Sequence, residues 1–448
     1  MSKMALFWSA IYFGGLAGFV SHPIYPLVAY LTFYYLPPHL NWWGQDLPDL
    51  RYSLTASAFL TVSILALRSG LETLKDERNP ALPWLLAWGG NTVLVTAWAI
   101  NATRSWIYTV ICLKLVLLYV LIPPVIRTPA LFDTFGAIHI AGAAYWGYKA
   151  WDNPKREAGR LREVGGPDTQ NDNQAAGHLV TVIPFVALYV LTEKRKMRRL
   201  LYALGGASAV NVFILCNSRG ATVGLIAAGI SAVLLAGRGK RKKLIAVGML
   251  GAAAVLFLAD PEFIERQQTT TNPTDNSAQS RKAMFAAGIE MVRDYPFGGG
   301  GRTFHILSPA YIPEITADAA SGERSPHNTL IQLATDWGVQ GTVLYFAFML
   351  MTIRFLHRVR KRMPDNSWYY YRSLTIEAAL CGTLVASLFS SRLYGESIYW
   401  MCALAFALHR MQSTELAGIA EHPAPVPEFA GPPEAMPEPA IARRSVRA

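Results

Sequence analysis

The residues of this chain best equipped for chemistry lie between Arg281 and Gly341. His327 stands directly before a long apolar run, and an imidazole can exchange a proton near neutral pH. Ser325 is placed to cap that run as a helix and Pro326 suits its first position, which predicts His327 in the first helical turn. The positive end of the helix dipole disfavours added charge there, so the ring is expected to stay neutral and able to accept a proton. Arg281, Arg302 and Arg324 precede it, and Arg219 opens an earlier apolar run. Guanidinium groups are permanent cations whose forked donors match phosphate oxygens, so such a set suits a phosphorylated leaving group. The run Phe297-Gly298-Gly299-Gly300-Gly301-Arg302 would permit close backbone approach to phosphate, yet it lacks the Lys-Ser/Thr of a nucleotide loop and can also be read as a flexible turn. Asp172 is the nearest candidate acid, with a loop end or helix cap as its plainer reading. Arg392, Tyr394 and Glu396 form another turn that either lines the site or serves topology. No Asp-x-Asp pair stands nearby, so neither a metal nor another cofactor is expected.

The elements that must carry these residues are helices crossing a membrane. The chain has 448 residues, 52% hydrophobic and 16% charged, with the apolar residues in blocks separated by polar or basic punctuation. A span needs about 20 apolar residues, and blocks from 4–20 to 398–409 approach that length, which predicts 12 or 13 spans in an all-α polytopic protein. The expected organisation is N-terminal spans and a first outside loop over 1–173, central spans over 174–260, a long partly helical outside loop over 261–327, C-terminal spans over 328–411 and a disordered, Pro- and Ala-rich tail over 412–448. The N-terminal apolar stretch lacks a small-residue cleavage site and reads as a retained span.

A net charge of +11 would suit nucleic acid, but the basic residues gather in hinges at Lys194–Arg199, Arg238–Lys243 and Arg354–Arg362. They read as cytoplasmic topology determinants with no nucleic-acid partner; the alternation then sets Ser218-Arg219-Gly220 and the whole 261–326 loop outside. Cys112, Cys216, Cys381 and Cys402 lie within apolar blocks and read as small buried hydrophobes. Within the loop, Met284, Gly288, Met291, Val292 and Tyr295 share one helical face, which predicts an amphipathic helix along the membrane surface, ended by Pro296.

His327-Asn328, nine residues, then Gly338-Val339-Gln340-Gly341-Thr342 resembles the signature of the O-antigen ligase and O-antigen polymerase superfamily. Arg281 with its helix, Pro296, the glycine run and Phe304 resemble the family's sequence before its histidine, and Ser218-Arg219-Gly220 resembles its Ser-Arg-Gly. Asn171-Asp172-Asn173 and Asn41-Trp42-Trp43 are similar to the branch of exosortase-associated O-glycosylation ligases. The sequence departs where some ligases carry Arg after Gly-Thr, having Val343 instead.

The resemblance implies a fold like that of the GT-C-like lipid-linked glycan transferases. It implies glycan transfer from an undecaprenyl-diphosphate carrier to an acceptor hydroxyl (lipid A-core, protein or glycan) on the periplasmic side of a bacterial inner membrane. His327 would be the catalytic base that deprotonates the acceptor hydroxyl, or would orient it; Arg219 and Arg281 match the family's diphosphate-binding arginines, while Arg302 and Arg324 join them by location. Asn328, Gly338 and Gly341 would support the histidine. A polymerase would use the same donor. A transporter is the reading from another class, and against it the ionisable residues concentrate outside the apolar blocks.

Overall fold

Polar and proline punctuation divides the described residues into 17 α-helices in the computed structural model, which describes residues 3–44, 47–48, 50–68, 79–152, 156–157, 160–169, 171–268, 276–317 and 322–421. The stretch 269–275 and the tail beyond residue 421 lie outside the described residues. The first ten helices are α1 (Lys3–Ala17), α2 (Ile24–Tyr35), α3 (Tyr52–Ala66), α4 (Leu82–Thr96), α5 (Ala102–Val125), α6 (Pro129–Asp152), α7 (Asp172–Thr192), α8 (Lys196–Cys216), α9 (Arg219–Leu235) and α10 (Arg238–Leu258). The long loop contributes α11 (Pro261–Gln268), α12 (Asn276–Asp294), α13 (Thr303–Tyr311) and α14 (Pro313–Thr316), and the chain continues through α15 (Thr329–Arg362), α16 (Trp368–Ser387) and α17 (Glu396–Glu421). Two-residue strands β1 (Arg156–Glu157) and β2 (Arg160–Leu161) pair antiparallel between α6 and α7.

Each expected apolar block holds a helix, and the protein is an all-α polytopic membrane protein. Among the described helices, 5 are long and apolar enough to cross a membrane, or up to 6 if α10 and α11, bent by 116°, form one span. The others fall short for visible reasons: α2 has 12 residues, and α10 opens with the basic hinge. The last helix continues to Glu421, past the 412 boundary expected for the tail.

Connections alternate between the two ends of the bundle. At one end Ile100 N–H donates to Gly299 O (2.9 Å), Asn217 Nδ2 to Glu262 O (3.3 Å) and Arg392 Nη1 to Asp168 O (2.9 Å), so the loops after α4, α6, α8, α10 and α16 meet. At the other, Arg372 bonds both Asp133 (2.9 Å) and Thr192 (3.0 Å), beside the basic hinges. Trp8 of α1 stacks on Trp43, so the chain starts at the loop end. Small residues set one close crossing: a Cβ on Gly224 of α9 would lie 2.6 Å from Gly382 O of α16, so both helices approach through their backbones.

The long loop builds a small core of its own. Met284, Ala287 and Met291 of α12 pack with Phe304, Ile312 and Ile331, and Gly288 leaves room for the Ile331 side chain. The apolar stripe expected along the membrane surface thus faces protein, because Phe304 and Ile331 cover it; Val292 lies at its edge and Tyr295 is 36% exposed.

Candidate active site

Helix N-caps organise the loop end. Asn171 Oδ1 accepts from Gln174 N–H, Ser218 Oγ from Ala221 N–H and Asn328 Oδ1 from Ile331 N–H, each satisfying a donor the helix leaves open. Asp172, Arg219 and His327 flank these caps directly. The cap of α15 is therefore Asn328, where Ser325 was expected; Ser325 Oγ instead meets Ser391 Oγ at 3.1 Å. His327 precedes the helix instead of entering its first turn, and holds a left-handed φ of 46°, which a side-chain-bearing residue adopts at a cost. Asn328 Nδ2 also donates to Leu388 O (3.0 Å), and Thr329 Oγ1 to Ser390 O (2.8 Å), fastening this turn to the α16–α17 connection.

His327 is lowered to about 4, by burial first and then by Arg281, Arg324 and Arg160. Its ring is neutral near pH 7, as the sequence suggested, but desolvation and arginines outweigh the helix dipole as the cause. Arg324 is held by Nε donating to Ile315 O (3.1 Å) and its N–H to Ser308 Oγ (2.9 Å). Arg160 donates to Asn173 Oδ1 (3.1 Å) and pairs with Asp172; Asn173 Oδ1 also accepts from Ser218 Oγ (2.7 Å), one residue from Arg219. Arg160 itself is lowered to about 10, by burial first and then chiefly by neighbouring Arg266, with Arg162 and Arg281 adding to it. Three guanidinium groups thus lie within electrostatic reach of one imidazole.

Arg302 stands one layer back. It has a φ of 70°, its guanidinium lies over the Tyr108 ring at 5.6 Å, and Nη1 donates to His305 Nε2 at 2.8 Å. His305 is lowered to about 3, by burial first and then by Arg302, His327 and Arg104. The glycine run has spent its donors internally: Gly298 N–H goes to Tyr295 O, Gly299 to Thr335 O, Gly300 to Asp336 O and Gly301 to Ser105 Oγ, at 2.9, 3.0, 2.9 and 3.1 Å. It is a packing device against α15. That helix breaks at Gly338 (φ 78°), where a Cβ would lie 2.4 Å from the Phe297 carbonyl carbon; Gly341 meets Asn91 of α4.

Asp172 is buried and bound to Arg160, so it serves to place a cation. The 392–396 turn is likewise internal. Arg392 bonds Asp168, Tyr394 O–H donates to Asp336 Oδ2 (2.8 Å), and Tyr30 O–H donates to Glu396 Oε2 (2.6 Å). Tyr34 O–H and Glu396 N–H both donate to Asp168, so one carboxylate ties α2 to α17.

Fold and site together define a polytopic membrane protein with an arginine-crowded histidine at its loop end. The O-antigen ligase family model matches residues 206–346, and the chain is O-antigen ligase-like over that segment. The match takes in Arg219, Arg281, Arg302, Arg324, His327, Asn328, Gly338 and Gly341 and leaves out 41–43 and 171–173, on which the resemblance to one branch rests. A search of curated proteins finds no match. Arg160 and His305 escaped the sequence reading: Arg160 lies in a short mixed-charge loop without a motif, and His305 has neither a span nor a signature beside it.

Proposed function

We propose that the chain transfers a glycan from undecaprenyl diphosphate to an acceptor hydroxyl at its loop end, on the periplasmic side of the inner membrane. The convergence of Arg281, Arg324 and Arg160 on a neutral His327 carries this reading. The acceptor oxygen attacks the anomeric carbon and its proton passes to the imidazole. The anomeric C–O bond to the diphosphate breaks, and the departing anion keeps the electron pair. Arg281, Arg324, Arg160 and Arg219 stabilise that charge, which is largest as the bond breaks. Arg302 acts through His305. With cations supplied by side chains, the reaction needs no metal.

The test is deletion of the gene followed by analysis of lipid-linked and surface glycans. Long glycan retained on its carrier is the expected result, and marks a ligase acting on lipid A-core or protein. Accumulation of single repeats would make the acceptor another lipid-linked glycan and the enzyme a polymerase. Unchanged glycans in both pools would overturn the transferase reading.

A further inference from the structure

Asn41-Trp42-Trp43 takes no part in the cationic site, yet it builds one wall of a separate cleft at the same end of the bundle. The cleft is a shallow, open depression, so a ligand would lie across its aromatic walls and would not be enclosed by them. Its walls come from Met4 of α1, the turn after α2 and the last turns of α6.

The local geometry explains why an aromatic face stays presented there. Asn41 N–H donates to Pro38 O (2.9 Å) and Gly44 N–H to Asn41 O (3.0 Å), closing a tight turn in which a Cβ on Gly44 would strike Pro38. Trp43 turns inward, 3% exposed, against Trp8 and Tyr145, while Trp42 turns outward, 59% exposed. Across the cleft stands Tyr148, with its ring against Trp151 and Tyr145. Polar groups ring these faces: Tyr145 O–H donates to Asn41 Oδ1 (3.1 Å), Lys149 Nζ donates to Leu40 O (2.8 Å), and Asp152 closes the rim.

Rigid aromatic faces beside a carboxylate, an ammonium and an amide match a sugar ring, which presents an apolar C–H face and an edge of hydroxyls. A lipid tail would leave the polar rim unused, and a free phosphate would gain nothing from the rings. From Tyr34, six residues before the cleft's Leu40, hydrogen bonds run toward the cationic site: Tyr34 bonds Asp168, Asp168 bonds Arg392, and Arg392 N–H donates to Thr329 Oγ1 (2.8 Å), two residues from His327.

We infer that this cleft is a saccharide-binding subsite, in which Trp42 and Tyr148 stack on a sugar ring and Asp152 and Lys149 bond its hydroxyls. The assignment rests on the transferase reading for its ligand class. The sugar belongs either to the donor glycan or to a glycan acceptor, and the two sources have different kinetic signatures.

The test uses full-length protein in lipid nanodiscs, with Trp42→Ala, Trp42→Phe, Tyr148→Ala and Arg281→Ala. Glycan released from its lipid by mild acid is titrated against each protein by tryptophan fluorescence and by calorimetry, which needs no turnover. Trp42→Ala and Tyr148→Ala are each expected to weaken saccharide binding about tenfold, with Trp42→Phe restoring most of it. Arg281→Ala should bind the released glycan like the wild type. In a transfer assay the same factor should appear in KM with kcat nearly unchanged, in the donor's KM if the cleft holds donor glycan and in the acceptor's if it holds acceptor. Binding of glycan-free undecaprenyl diphosphate should not change.

Released glycan that binds Trp42→Ala as tightly as wild type overturns the subsite. So does an equal loss of affinity for the glycan-free lipid, or lowered membrane insertion with glycan binding intact, which would make these rings part of an interfacial aromatic belt. Saccharide binding that depends on Trp42, without any transfer by the wild type, would sink the transferase reading and leave the subsite standing.

Discussion

Arg160 and Asp172 form an ion pair between the β2 loop and the first turn of α7, with Asp172 buried and Arg160 mostly so. The pair fixes a cation beside His327 from a part of the chain outside the family match. A buried carboxylate that holds an arginine in place leaves that arginine's remaining donors directed by the fold.

Arg160→Ala should therefore lower transfer by about 10- to 100-fold, the worth of one charge-assisted hydrogen bond to the leaving group. Asp172→Asn should show a smaller loss, because the guanidinium remains but its orientation loosens. The check is a double-mutant cycle on kcat/KM with protein of verified insertion. Additive effects would mean that the pair does not act as a unit.

Arg281→Ala and Arg219→Ala should each lose most transfer while inserting normally. Lysine should restore little at either position, since an ammonium cannot reproduce the fork of a guanidinium. Chelation by EDTA should leave the wild-type rate unchanged. Inhibition reversed by a divalent ion would show that arginines alone do not neutralise the diphosphate.

His327→Ala should cut the rate by about 10² to 10⁴, the usual worth of a positioned base. The pH profile of kcat/KM gives a second check, because it reports the free enzyme. Burial and three arginines hold His327 at about 4, so the basic form persists as pH falls and the acid limb should lie near 4 instead of the ordinary value of about 6.5. Arg324→Gln removes a neighbouring cation and should move that limb upward. A wild-type limb at the ordinary histidine value would show that burial and the arginines do not lower His327, and a limb that persists unchanged in His327→Ala would contradict the base assignment.

Gly338→Ala should destabilise the protein by about 1–3 kcal/mol, because a side-chain-bearing residue resists φ 78° and its Cβ would meet the Phe297 backbone. Gly341→Ala should be milder. There a Cβ would meet Asn91 Nδ2 at 2.7 Å and Trp337 Cβ at 2.9 Å, but the backbone is not held in the left-handed region. Thermal unfolding in matched lipid compares the two, and equal losses would mean that the break in α15 does not govern stability.

For sidedness, a cysteine at exposed Glu314 should react with an impermeant thiol reagent applied outside, and one at exposed Gly239 should not. Glu314 lies in the long loop and Gly239 in a basic hinge, so labelling at Gly239 would reverse the assignment of the site to the periplasmic face.

The sequence by itself determined what depends on near neighbours. Apolar blocks specify helices, since a backbone in lipid must satisfy its own hydrogen bonds. The stripe of Met284, Gly288 and Met291 marked an apolar helix face, expected at the membrane surface and found against Phe304 and Ile331, and His327 with its arginines marked the proposed site. Tertiary structure decided which of those residues meet. Arg160 reaches His327 only because α7 and α8 bring the β2 loop beneath the long loop, and Arg302 lies behind His305 because the glycine run turns inward. Both placements depend on contacts between residues far apart in the chain, which no local spacing encodes. The same holds for the glycine N–H groups: the sequence offered them to a phosphate, and the packing of the loop against the break at Gly338 claimed them for Thr335 and Asp336. Helix crossing, and not motif, set the composition of the site.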